Sequence, residues 1–162
     1  MPTFRTSRRV RHTASDMFDL VADVEHYPLF LPLCQSLDIR RRTTLDDGRE
    51  QLLADMRIGY KAIRETFTSR VTMDRPQMQI LVEYVDGPFK RMENRWRFVD
   101  LPSGSKGPES TVEFFIDYEF KSRMFGMLMG SVFEAAFRRF AEAFEERANR
   151  VYPHAGTRVV AP

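Results

Sequence analysis

The sequence has one cysteine, Cys34, which excludes a disulfide framework and a cysteine-based metal site. His12, His26 and His154 are far apart and share no metal-ligand spacing. No Gly-x-Ser-x-Gly, HExxH, CxxC or phosphate-cradling glycine loop occurs, which argues against ordinary hydrolase and redox chemistry. No stretch reaches the ~18 apolar residues of a membrane-spanning helix. The longest candidate, Met124–Phe133, ends at Glu134. Lysine is scarce, at positions 61, 90, 106 and 121 only, so the basic residues are nearly all arginine. Met1–His12 carries four arginines and no apolar block. It reads as a first strand, not as a secretory signal. No internal repeat or low-complexity tract appears, and the net charge is only +2.

What is present is dominated by one helical stripe. Met129, Val132, Phe133, Ala136, Phe137, Phe140, Ala141, Phe144 and Ala148 recur at spacings of three and four, on one face of a helix from Phe125 to Tyr152. Ser122 is the expected N-cap. Such a helix is roughly 40 Å long and needs a partner of similar length. Its first turns, Met124–Phe133, are apolar nearly all round and contain Gly126 and Gly130. A soft, methionine-rich start suits a mouth that opens, and equally suits ordinary close packing.

The chain before the helix is built for strands. Pro2–His12 is the first, and Ala14-Ser15-Asp16 then caps a short helix over Met17–Asp23. His26–Leu33 is apolar, with two prolines that prevent a long helix. It reads either as a plug closing one end of the core or as a lid or membrane-touching loop. Six strands follow, separated by turn signals such as Asp46-Asp47-Gly48, Asp74-Arg75-Pro76 and Asp86-Gly87-Pro88. Their alternation puts Leu52, Ala54, Met56 and Ile58 on one face. It does the same for Ile63, Phe67 and Val71; for Met78, Ile80, Val82 and Tyr84; for Met92, Asn94, Trp96 and Phe98; and for Val112, Phe114, Ile116, Tyr118 and Phe120. Short connections imply antiparallel pairing, and one-sided alternation implies one wet face. The expected fold is α+β: a curved antiparallel sheet of about seven strands around a long C-terminal helix, with two short helices after the first strand. Residues 1–152 form the domain and 153–162 a disordered tail.

Glu65, Ser69 and Asn94 fall on inward faces among apolar neighbours. They either pair internally, or Asn94 or Glu65 meets the polar head of an apolar ligand. The arginines at 5, 8, 9 and 11 and at 40–42 are either a solvated strand surface or a phosphate-binding one. A catalytic Cys34 with His26 upstream is disfavoured, because such proximity arises readily by chance.

Several blocks, in order and spacing, resemble a known family: Phe18–Val24, Tyr27–Pro32 with Cys34, Glu65–Val71, Gly87–Phe89, Asn94–Phe98, Phe120–Ser122, and Val132–Phe133 through Ala143–Arg147. This pattern is similar to the coenzyme-Q-binding START-domain family of the polyketide-cyclase/START superfamily, over about residues 3 to 150. Leu33 departs from the tryptophan that many relatives carry before the cysteine. The resemblance implies a helix-grip fold and a non-enzymatic protein that binds a polyprenyl quinone such as ubiquinone, in support of respiration. It implies no other cofactor and no metal. Candidate ligand contacts are Phe30, Met56, Phe67, Ile80, Tyr84, Phe89, Asn94, Trp96, Phe114, Tyr118, Met129, Val132, Phe133 and Phe137. Leu29, Phe30, Leu31 and Phe89 are the candidate membrane-touching rim. The family also includes a bacterial ribosome-association toxin, so a ribosome or RNA is the alternative partner. A cyclase-like enzyme is the third reading. The expected location is the bacterial cytoplasm, peripheral to the inner membrane.

Overall fold

The computed structural model describes residues 3–102 and 107–152. The expected tail at 153–162 lies outside them, as does part of the loop expected at 102–110. Seven strands form one antiparallel sheet: β1 (Thr3–Val10), β2 (Cys34–Thr44), β3 (Glu50–Tyr60), β4 (Ile63–Asp74), β5 (Gln79–Asp86), β6 (Phe89–Asp100) and β7 (Ser110–Phe120). Helix α1 (Ala14–Ala22) and a 3-10 helix (Val24–Leu29) follow β1, and α2 (Arg123–Val151) ends the described chain. The sheet order is β1-β7-β6-β5-β4-β3-β2. From β2 to β7 each strand pairs with its sequence neighbour. The exception is β1, which pairs with β7 because α1 and the 3-10 helix carry the chain from one sheet edge to the other.

The sheet curves where its ladders slip. Register shifts occur in β2 between Cys34 and Ser36 and between Ile39 and Arg41, in β5 at Val85 opposite Thr68/Ser69 of β4, and in β6 between Phe89 and Arg91. Such bulges bend a strand and increase its twist. The concave face wraps α2, and the four phenylalanines of the helix stripe each meet an aromatic of β6 or β7. Phe133 meets Phe89 at 5.7 Å, Phe137 meets Tyr118 at 5.1 Å, Phe140 meets Phe114 at 6.0 Å, and Phe144 meets Trp96 at 5.0 Å. Edge-on pairs of this kind add about 0.5–1.5 kcal/mol each beyond their buried area.

The termini of the elements follow local chemistry. Ser122 caps α2, accepting from the Phe125 N–H at 3.1 Å. The cap of α1 is Thr13, whose hydroxyl accepts from the Asp16 N–H at 3.0 Å. The expected Ala14–Asp16 cap is therefore the first turn of the helix itself, because Asp100 at the end of β6 accepts the Ala14 N–H at 2.8 Å and anchors the helix early. Gly87 has φ +142°, and a Cβ there would come within 2.5 Å of the Phe67 Cβ. Only glycine lets the β5–β6 turn close over β4. Among the described residues no helix is long and apolar enough to cross a membrane.

Candidate functional site

The grip is not packed solid. Between the concave sheet, α2 and the Val24–Leu33 segment lies a cavity of about 90 Å³. Seven of the expected contacts line it: Met56, Phe67, Phe89, Asn94, Trp96, Phe133 and Phe137. The other seven lie elsewhere. Ile80, Phe114 and Met129 are fully buried but do not line the cavity. Tyr118 and Tyr84 spend their rings on Phe137 and Phe89. Phe30 packs edge-on against Phe144 at 5.1 Å, and Val132 faces a surface groove. Alternation assigns a face correctly here but not the depth at which packing closes.

The aperiodic segment contributes what periodicity could not show. Val24, Tyr27, Leu31, Pro32 and Leu33 all line the cavity. The apolar run His26–Leu33 was itself the available signal. It behaves mainly as a plug: Leu31 is 5% exposed, and of its apolar residues only Leu29, at 67%, is exposed. Phe89 is 1% exposed, so neither Leu31 nor Phe89 belongs to an outer rim. Leu37, Ala54, Ile58, Ser69, Val71, Val82, Met92, Ile116, Ala136, Phe140 and Phe144 complete the wall.

The polar groups in the wall are few and mostly committed. The Asn94 amide Nδ2 donates to the Phe115 carbonyl at 2.9 Å, and its Oδ1 accepts from the Trp96 indole N–H at 2.9 Å. That leaves the amide one N–H and one lone pair. The Tyr27 hydroxyl donates to the Val21 carbonyl, and burial raises its pKa above the ordinary phenol range. Ser69 adds a hydroxyl, while Glu65 is outside the lining. No Asp, Glu, His, Lys, Arg or Cys is among the described lining residues. The Cys34 thiol sits nearby, pushed up to about 11 by burial, so it is protonated at neutral pH and a poor nucleophile. Among the described residues no cluster of three or more side chains is suited to hold a metal.

One wall is thin. A surface groove between α2 and the β3–β4 hairpin is lined by Tyr60, Ser131, Val132, Ala135 and Arg139, and it shares Pro32, Leu33 and Ala136 with the cavity. Leu33 stands in this partition with φ +70°, a left-handed conformation that costs an L-residue about 1–2 kcal/mol. Its carbonyl accepts the Gly59 N–H at 3.0 Å, which holds it there.

The arginine clusters are largely neutralised. Arg8 pairs with Glu145 at 2.6 Å, Arg9 with Glu109 at 3.1 Å, Arg40 with Asp55 at 3.5 Å and Arg42 with Glu25 at 2.9 Å. Arg5 lies over the Phe115 ring at 4.7 Å. These strands carry a mixed-charge solvated face.

A curved sheet closed by a C-terminal helix over an apolar cavity is the arrangement of a known group of proteins. Residues 10–145 match the family model described as "Polyketide cyclase / dehydrase and lipid transport". The chain belongs to this family. It is 33% identical to the Escherichia coli K12 protein named "Ribosome association toxin RatA", covering 94% of this chain and 90% of that one. It is 28% identical to "Coenzyme Q-binding protein COQ10 homolog B, mitochondrial" of Xenopus laevis, covering 92% of this chain and 59% of that protein. A START superfamily protein from Mycobacterium smegmatis shares the fold, with a TM-score of 0.74, 21% identity, and coverage of 92% of this chain and 98% of that one. The family thus spans proteins named for toxins, for quinone binding and for cyclase or lipid-transport roles.

Proposed function

We propose that this protein binds a polyprenyl quinone of the ubiquinone type and does not transform it. The observation that carries this reading is the cavity wall, apolar on nearly every side and without a titratable group other than a hydrogen-bonded tyrosine. A cyclase needs a positioned acid or base, and the lining offers none. Similarity to a protein named for coenzyme Q binding supports the choice of ligand. The volume adds a condition. A cavity of about 90 Å³ is smaller than the roughly 150 Å³ that holds a benzene ring. A substituted quinone ring therefore enters only when the grip opens, and its tail leaves through the groove beside Leu33.

Native mass spectrometry with a short-tailed ubiquinone analogue tests this. A one-to-one adduct with a raised melting temperature is the expected result. A chain that stays empty in excess analogue, with unchanged melting, would refute it. Similarity to the ribosome association toxin favours a second reading, binding to a ribosomal subunit. Co-sedimentation with subunits that weakens steeply with salt would support that reading.

A further inference from the structure

The antiparallel order brings the end of β3, the start of β4, the end of β5 and the end of β7 to one edge of the molecule, where α2 begins. Among the described residues, most of the large apolar side chains left in solvent gather at this end. On α2, Met124 is 72% exposed, Met127 81% and Leu128 64%; Tyr60 and Val85 are also exposed there. Met124 and Leu128 precede Ser131 and Ala135 on one helical stripe, and those two residues line the groove shared with Tyr60. The exposed patch is thus continuous with the thin partition of the cavity.

The charge around it is basic. Exposed Lys61, Arg64, Lys121 and Arg123 form no salt bridge with a described residue; Arg64 donates to the Lys61 and Ile63 carbonyls, and Lys61 lies over the Tyr60 ring at 5.4 Å, so both are held at this end by neutral partners. Arg123 opens α2, and that helix has no acid in its first turn. A cation there opposes the helix dipole, so it weakens the isolated fold and is favourable only when an anion approaches. Among the described residues, Asp86 and half-buried Glu65 are the carboxylates at this end outside a salt bridge, against four cations that no carboxylate neutralises. Gly130 adds to the softness: a Cβ there would meet nothing within 4 Å, so packing does not demand glycine.

We infer that this end docks on an anionic bilayer, with Met124, Met127 and Leu128 entering the headgroup–acyl boundary and Lys61, Arg64, Lys121 and Arg123 lying among lipid phosphates. Three exposed aliphatic tips ringed by cations fit a membrane surface, whereas an RNA backbone needs only the cations. The purpose of the docking rests on the quinone reading, because it would set the groove beside Leu33 against the lipid from which a tailed ligand comes.

The test is co-flotation of the full chain with phosphatidylcholine vesicles, with and without phosphatidylglycerol. Binding to the anionic vesicles alone is expected. Met124→Ser with Met127→Ser and Leu128→Ser should weaken it at least tenfold at unchanged melting temperature. Lys61→Glu with Arg123→Glu should remove the preference for phosphatidylglycerol. Vesicle binding untouched by both variants would overturn the docking, as would binding to ribosomal subunits that the charge variant abolishes while vesicles are ignored. Uptake of a short-tailed quinone from solution, measured on the same variants, separates the two ideas. Normal uptake with lost flotation supports both, and normal uptake without any flotation by the native chain overturns the docking alone. Flotation without uptake supports the docking and refutes the quinone reading.

Discussion

The indole N–H of Trp96 donates to the side-chain oxygen of Asn94, two positions earlier on the same strand, at 2.9 Å. Both side chains are buried, so the pair satisfies in place two groups that would otherwise need water inside the grip. Asn94 thereby serves the architecture of the wall before it serves any ligand.

Asn94→Ala should cost about 1–3 kcal/mol, because it leaves the Trp96 N–H buried without a partner. Urea unfolding measures this. If Asn94 acts mainly within the wall, quinone affinity should change less than stability does.

Phe133 and Val132 are adjacent on the helix stripe but differ in depth. Phe133 is 3% exposed against Phe89, whereas Val132 is half-buried at the surface groove. Phe133→Glu should lose more than the about 3–5 kcal/mol of a deleted core phenylalanine and leave the domain largely unfolded. Val132→Glu should cost about 1 kcal/mol. Circular dichroism melting of the two variants distinguishes them.

Ligand entry should be limited by opening. Stopped-flow uptake of a quinone analogue should reach a plateau rate at high ligand concentration, since the cavity of about 90 Å³ is too small to accept the ring as it stands. Leu33→Gly should raise that plateau. Its stability should stay within about 1 kcal/mol of the parent, because relief of left-handed strain offsets lost packing.

Gly130→Ala should stabilise the protein by about 0.5–1 kcal/mol, since the added methyl meets no neighbour and the helix gains propensity. Thermal melting checks the gain. If the first turns of α2 move during uptake, the same variant should slow it.

Alkaline pH should destabilise the fold through Cys34. Its thiol is raised from 9.0 to about 11 by burial, so above 9.0 the unfolded chain releases a proton that the folded chain retains. The stability is fully present below 9.0 and is lost as pH rises through about 11. Cys34→Ala should flatten this decline in urea midpoints. The decline belonging to Tyr27, whose phenol burial also raises, should remain.

Local pattern was enough for much of the architecture. Period-two alternation located β3 to β7 and their inward faces, because a strand with one wet face must alternate. The spacing of Phe133, Phe137, Phe140 and Phe144 located α2, and Ser122 marked its start, because both depend on residues within one or two turns. Depth could not be read this way. Ile80 and Phe114 share faces with Val82 and Ile116, yet only the latter two border the cavity. That difference arises from the bulges and from which helix side chain arrives opposite, both of which are non-local. The same holds for Tyr27, Leu31 and Leu33, whose aperiodic segment is placed by contacts with β2 and Phe144. Local periodicity suffices for a sheet gripping a helix; where that grip leaves a space depends on the assembled fold, since a cavity exists only where packing between distant segments stops short.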